Sequence, residues 1–284
     1  MTPGLMYMLR GTFLFSIMSV FVKLSGQSGI PSQEIVLARA VVTLVMSAWM
    51  LRHAKIPMWG DNKKLLLARG LAGFGGLWCF YYAVTHLPLA DATVIQYTNP
   101  VLTAVLAALV LREKLRWPDA AASFAALSGV VLVARPTFLF GGAQLNLGAV
   151  GIALVGACFS ATAYVLVRKL RETDDPLVIV FYFPLVAVPA SLPSVIPVAV
   201  WPQGIQWVYL LMVGITTQLA QVQMTRGLHL EAAGRATAIS YVQILFAAFW
   251  GFTFFGELPH PIAALGALFI IMATLVVTRK ARPR

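Results

Sequence analysis

The sequence predicts an all-α polytopic membrane protein: ten transmembrane helices, arranged as two inverted five-helix repeats, with the N- and C-termini cytoplasmic. Three observations predict it. The first is composition. Of 284 residues, 60% are hydrophobic and only 11% are Asp, Glu, Lys or Arg, against about 25% in soluble domains, and mean hydropathy is +0.83. So few charges cannot cover a soluble domain of this size. The second is a series of apolar runs long enough to cross hydrocarbon. The third is an internal repeat at an offset of 144 residues.

A helix needs about 20 residues to span a bilayer. Runs of that order are 5–25, 33–51, 65–86, 89–111, 118–135, 147–167, 177–199, 205–228, 232–255 and 260–278. The first follows neither an early basic cluster nor a small-residue cleavage site, and reads as a retained span. The seventh contains Pro184, Pro189, Pro193 and Pro197, so its outer half is expected to kink or break. With the N-terminus inside, the 21 Lys and Arg residues all fall on cytoplasmic segments except Lys23, Arg39 and Arg135. Arg69 is read with Lys63 and Lys64 as part of such a segment. A net charge of +11 distributed this way is membrane topology, not a nucleic-acid surface. Cys79 and Cys158 lie inside apolar runs and read as small buried hydrophobes rather than a disulfide.

The repeat is explicit. Ala92, Thr93, Ile95 and Tyr97 match Ala236, Thr237, Ile239 and Tyr241; Glu113 matches Glu257, and Arg135 matches Arg279. The chain divides into residues 1–139 and 145–284, one five-helix unit each. Because five is odd, the second unit enters the membrane upside down. Inverted repeats of this kind are a transporter architecture, with the substrate site near the midplane between the halves.

The stretch LPLADATVIQYTNPVLTAVLAALVLREKL, followed by a Gly-containing span ending VLVARP, resembles the drug/metabolite transporter superfamily and within it the EamA family. The phrase LADATVIQYTNPV with REKL is similar to the branch of solute carrier family 35 member G proteins and S-adenosylmethionine transporter-like members. The resemblance covers nearly the whole chain. It implies secondary transport of a small metabolite without ATP, and the sequence has no GxxxxGK[ST] phosphate loop. The second half departs from the pattern at the Glu257 turn, where Pro259 and Pro261 flank His260.

Polar side chains inside apolar runs are the candidate site. Residues at i, i+3, i+4 and i+7 share a helix face. Gln96, Asn99 and Thr103 form such a stripe. Ser240, Gln243 and Ala247 form its counterpart, with Trp250 extending the line; Thr217, Gln218, Gln221 and Thr225 form a third; Trp78 and Tyr82 share a face of the third run. Without water to satisfy them, these groups either line one aqueous cavity or tie helices together. The expected lining is Trp78, Tyr82, Gln96, Asn99, Thr103, Gln218, Gln221, Tyr241, Gln243 and Trp250. Pro100 frees the Gln96 carbonyl, either for substrate or for a packing kink. Tyr97 and Tyr241 suit a shared structural role or paired gating. Glu113 and Glu257 suit capping of the following helix or pairing with bases.

Lys23, Glu34 and Arg39 form a separate group, read as an outer gate, an anion anchor or a packing contact. All ten acids lie near span ends, which weakens proton coupling through a midplane carboxylate. No metal, cofactor or catalytic residue is expected: His53, His86, His229 and His260 form neither a His–acid pair nor an HExxH motif. The leading function is therefore a secondary transporter of a small polar or amphipathic metabolite in the plasma membrane (the inner membrane of a bacterium), working by alternating access as exchanger, facilitator or exporter. A non-transporting assembly or receptor subunit, and less readily a membrane-embedded acyltransferase, are the alternatives. The expected partners are a small-molecule substrate and the lipid bilayer; a homodimer is left open.

Overall fold

The structure is a computed structural model that describes residues 1–114, 116–141 and 146–279. Residues 142–144 of the expected repeat junction (140–144), residue 145 and the C-terminal basic segment (280–284) lie outside the described residues. The elements are α1 (Pro3–Gln27), α2 (Ser32–His53), α3 (Lys63–His86), α4 (Leu89–Gln96), α5 (Asn99–Val110), α6 (Trp117–Ala134), α7 (Thr137–Phe140), α8 (Leu147–Leu170), α9 (Pro176–Val195), α10 (Ile205–Leu230), α11 (Ala233–Ala238), a 3-10 turn (Ile239–Tyr241), α12 (Val242–Phe255) and α13 (Ile262–Arg279). No strand occurs among the described residues.

Several helices start where the sequence supplies an acceptor for the first free amides. Thr2 caps α1, Asn62 caps α3, Asn146 caps α8 and Asp175 caps α9. The run 89–110 is broken at Tyr97–Thr98, because Pro100 has no amide proton to continue the ladder. The matching run 233–255 is interrupted by the tighter 3-10 turn without a proline. By contrast α9 runs unbroken through Pro184, Pro189 and Pro193 and stops at Val195, ahead of Pro197. The expected break is instead a shorter helix. The short α7 had no counterpart in the apolar runs.

Among the described residues, eight helical runs are long and apolar enough to cross a membrane, which makes this a polytopic membrane protein. α13 is a shorter apolar helix. α3 is diluted by Arg69 and by Gly70, Gly73, Gly75 and Gly76.

Helix packing follows a simple exchange rule. α1 packs on α10 and α3 on α8; α2 packs on α10 and α3 on α9; α1 packs on α12 and α5 on α8; α2 pairs with α9, and α6 with α13. Swapping each helix for the one matched to it at the 144-residue offset returns the same set. The turns obey the same rule. After α5, Arg112 is left-handed (φ 53) and the Glu113 amide donates to the Ala107 carbonyl at 3.3 Å. After α12, Gly256 is left-handed (φ 64) and the Glu257 amide donates to the Gly251 carbonyl at 3.1 Å. Despite Pro259 and Pro261, the two turns open alike, on a left-handed residue and the same hydrogen bond. Cys79 is buried but Cys158 is exposed, so only the first fits the expected buried hydrophobe.

Contacts define two ends of the bundle. At the N-terminal end, Thr2 bonds to Glu231, the Asp61 amide donates to Asp174 at 2.8 Å, and Tyr182 donates to the Trp59 carbonyl at 2.8 Å. At the opposite end, Lys23 pairs with Glu257, and Gln206 donates to the Ser28 carbonyl at 2.7 Å.

Candidate functional site

A cavity of about 300 Å³ lies inside the bundle, lined from both halves. Three features position its walls. The α4–α5 break presents Gln96, Tyr97 and Asn99, and the 3-10 turn with the start of α12 presents Ser240 and Gln243. These are matched positions: Gln96 with Ser240, Asn99 with Gln243. α3 contributes Arg69, Gly73, Gly76, Leu77 and Phe80, a single face at helical spacing. Gly76 has a packing reason to be small, since a Cβ there would meet the Ser160 hydroxyl of α8 at 2.6 Å.

The polar walls are partly self-satisfied. Gln96 donates through Nε2 to Ser160 at 3.1 Å. The Gln96 carbonyl, freed by Pro100, accepts from Asn99 Nδ2 at 2.8 Å, so it is engaged within its own turn. Asn99 Oδ1 is buried and finds no partner among the described residues. Tyr97 lines the cavity with its ring stacked on Tyr241 at 6.0 Å, and Tyr241 is fully buried behind it.

Of the residues expected to share one cavity, Gln96, Asn99, Gln221 and Gln243 do so. The others do not. Trp78 and Tyr82 stack on each other and line a second cavity of about 190 Å³ toward the opposite end, with Trp78 54% exposed. One residue on from Leu77 is about 100° around the helix, enough to turn Trp78 out of the central site. Thr103 is fully buried and donates to the Asn99 carbonyl at 2.7 Å. Gln218 is fully buried and points at Met50 of α2, its Nε2 3.6 Å from the sulfur. Trp250 donates to Ser16 of α1 at 3.0 Å. Ser16 and Ser160 are 144 residues apart, the same offset, so matched serines receive unlike donors.

Nor do Lys23, Glu34 and Arg39 cluster. Lys23 pairs with Glu257 and sits 4.0 Å from the centre of the Phe255 ring. Glu34 accepts from the Val200 amide at 2.9 Å. Arg39 alone reaches the cavity. There it is joined by Arg69, 3% exposed, which counting that charge with Lys63 and Lys64 on the cytoplasmic side had missed. The spacing 69, 73, 76, 77, 80 within one apolar run was the signal that could have found it.

Glu113 is engaged at the N-terminal end, accepting from Arg168 Nε at 2.8 Å and from the Ala233 amide at 2.9 Å. Arg168 also donates to the Leu228 and His229 carbonyls at 3.0 and 2.8 Å. At the same end Leu5, Leu51, Leu66, Leu170 and Leu228 are fully buried.

An all-helical polytopic bundle with a polar cavity between its helices is the build of a membrane transporter. The chain belongs to the EamA-like transporter family, whose pattern matches residues 2–135 and again 147–279. It is 29% identical to the pseudopaline exporter CntI of Pseudomonas aeruginosa over 97% of this chain and 96% of the exporter. It is 28% identical to solute carrier family 35 member G1 of Mus musculus, over 97% of this chain and 78% of that protein. One solved crystal structure superposes with a TM-score of 0.88 over 98% of this chain and 97% of the other; at 18% identity that likeness speaks for the fold. Family and relatives are transporters, so the chain is a transporter and not an enzyme.

Proposed function

We propose that the protein is a secondary transporter that carries a small polar or amphipathic metabolite across the plasma membrane by alternating access, using the central cavity as its binding site. Ten spans form two inverted repeats, residues 1–139 and 145–284, with both termini in the cytoplasm. The double match of the family pattern and the like openings of the Arg112 and Gly256 turns support the repeat. The clustering of Lys63, Lys64, Arg168, Lys169 and Arg171 at the end bearing the N-terminus supports the orientation. Export is the favoured direction, because a relative similar along nearly its whole length is named an exporter.

The observation that carries the reading is the cavity wall built from matched pairs, Gln96 with Ser240 and Asn99 with Gln243. A site on the pseudo-twofold axis presents related groups to whichever end is open. The two ends also differ in the way alternating access requires. At the N-terminal end the Arg168–Glu113 pair is buried, with side chains 10% and 20% exposed. At the opposite end the Lys23–Glu257 pair is 35% and 61% exposed. We read this state as closed toward the cytoplasm and loose on the other side.

The test is reconstitution. Metabolites that raise the melting temperature of purified protein are loaded into liposomes carrying wild type, N99A or Q243A. Exchange of at least one such metabolite by wild type, reduced tenfold or more in both variants with unchanged reconstitution, supports the proposal. Binding without flux for every hit overturns it.

A further inference from the structure

Arg39 and Arg69 are the only charged residues among those lining the central cavity, and no Asp or Glu joins them. The Nε atoms of both, and Nη1 of Arg69, are buried without a hydrogen-bond partner among the described residues. Arg69 Nη2 reaches Gln221 Oε1 only at 3.4 Å. Its guanidinium carbon lies 5.2 Å from the centre of the Phe183 ring, which occupies one face and leaves the edge of the fork free. Gly73 keeps that space open: a Cβ there would meet Arg69 Nη1 at 3.1 Å.

Two other inward arginines are matched with acids, while Arg135 is set against the Phe140 ring. Arg168 has Glu113 at 2.8 Å, and Arg235 has Glu231 at 3.8 Å. The buried acids Asp91, Asp174 and Glu231 are engaged away from the cavity: Asp91 with Thr137, Asp174 with the Asp61 amide, and Glu231 with Thr2. A buried guanidinium without a counter-charge is costly. A site that keeps two of them in the wall of an open cavity is one whose anion arrives with the ligand. Guanidinium forks match planar oxyanions through paired N–H donors, and Asn99, Gln221 and Gln243 stand around them to bond the rest of a small polar solute.

We propose that Arg39 and Arg69 together anchor an oxyanion, a carboxylate or a phosphate ester, on the solute that this cavity takes. That the anchored solute is also carried across the membrane rests on the function proposed above; the anchor itself does not.

The experiment is equilibrium binding, read as thermal stabilisation of the full chain in detergent. The probes are succinate, glutarate, citrate and glycerol 3-phosphate, each beside a neutral counterpart (succinamide, glutaramide, citramide, glycerol), with 1,4-diaminobutane as the cation. At least one oxyanion stabilises in a dose-dependent way while its neutral counterpart and the diamine do not; whether carboxylate or phosphate responds identifies the group. R39Q and R69Q each weaken its apparent affinity about 30-fold or more, the scale of removing one partner of a buried charge pair. R39K and R69K keep part of it, since the charge remains and the fork is lost. Q221E tests the site without a ligand: a carboxylate placed beside Arg69 raises the melting temperature and abolishes the oxyanion response. Failure of every oxyanion probe, stabilisation by the diamine, unchanged affinity in R39Q and R69Q, or a lowered melting temperature in Q221E overturns the proposal. An oxyanion that binds through the arginines but is not carried into liposomes overturns transport and leaves the anchor standing. A neutral or cationic solute carried equally well by R39Q and R69Q does the reverse.

Discussion

Arg168 and Glu113 meet at 2.8 Å at the N-terminal end of the bundle, and Lys23 and Glu257 meet at the opposite end, with the two bases one residue out of register at the 144-residue offset. The two glutamates are repeat mates, and each follows a left-handed residue. The bases differ in what else they hold. Arg168 spans two carbonyls of α10 as well as the carboxylate, whereas Lys23 adds only the face of Phe255. One pair is woven into the helix ends and the other is a surface contact.

That difference fixes an order of stabilities. Removing one member of a buried, hydrogen-bonded pair costs about 3–5 kcal/mol, while an exposed pair contributes about 0–1 kcal/mol. E113Q and R168M therefore lower the melting temperature steeply, and E257Q and K23M barely change it. Thermal unfolding of the four variants in one detergent checks this. Equal losses at both ends would mean the pairs are energetically alike, against their geometry.

The turns give a cleaner test of backbone strain. A Cβ built on Gly256 meets nothing within 4 Å, so G256A changes only the conformational preference at φ 64. Holding an L-residue left-handed costs about 1–2 kcal/mol, and G256A should lose that much. At the matched position Arg112 already bears this cost, and its side chain is exposed. R112G should raise the melting temperature. A loss in R112G would show that the Arg112 side chain contributes more than its backbone costs.

A third prediction concerns α6 and α13. Built Cβ atoms on Gly129 and Gly266 each meet the other glycine's carbonyl oxygen at 2.6 Å. The contact is backbone against backbone, with no flexible side chain to yield. G129A and G266A should each cost about 1–3 kcal/mol, as overpacking does. Neither residue lines the central cavity, so solute affinity measured below the melting transition should match wild type.

What the sequence carried and what it did not follow from different physics. The repeat offset was legible because Tyr97 and Tyr241, and Glu113 and Glu257, stand out in an apolar alphabet. The same offset reappears in turns and packing pairs. Depth was harder to read. Arg69 lies near the start of its run, and hydropathy alone gives the same score to a charge at a rim and to one folded against Phe183. Rotational phase was harder still. Gln218 and Gln221 differ by about 60° around α10, and that angle sends one toward α2 and the other into the cavity. Only the neighbouring helices decide which side of a polar stripe is wet.

Gln218 makes that last point measurable. Its side chain is fully buried, Oε1 has no partner among the described residues, and Nε2 faces a thioether at 3.6 Å, a weak acceptor. Leaving a buried polar atom unsatisfied costs about 1–3 kcal/mol. Methionine has nearly the same length and volume and no donor or acceptor to satisfy, so Q218M should raise the melting temperature. It should also leave solute affinity unchanged, because the amide does not face the cavity. Gln221, one turn on, should behave oppositely: Q221M removes the group nearest Arg69 Nη2 and weakens binding. Measuring melting temperature and affinity on both variants separates a residue that packs from one that meets the solute. Loss of binding in Q218M with Q221M unaffected would reverse the assignment of the two faces of α10.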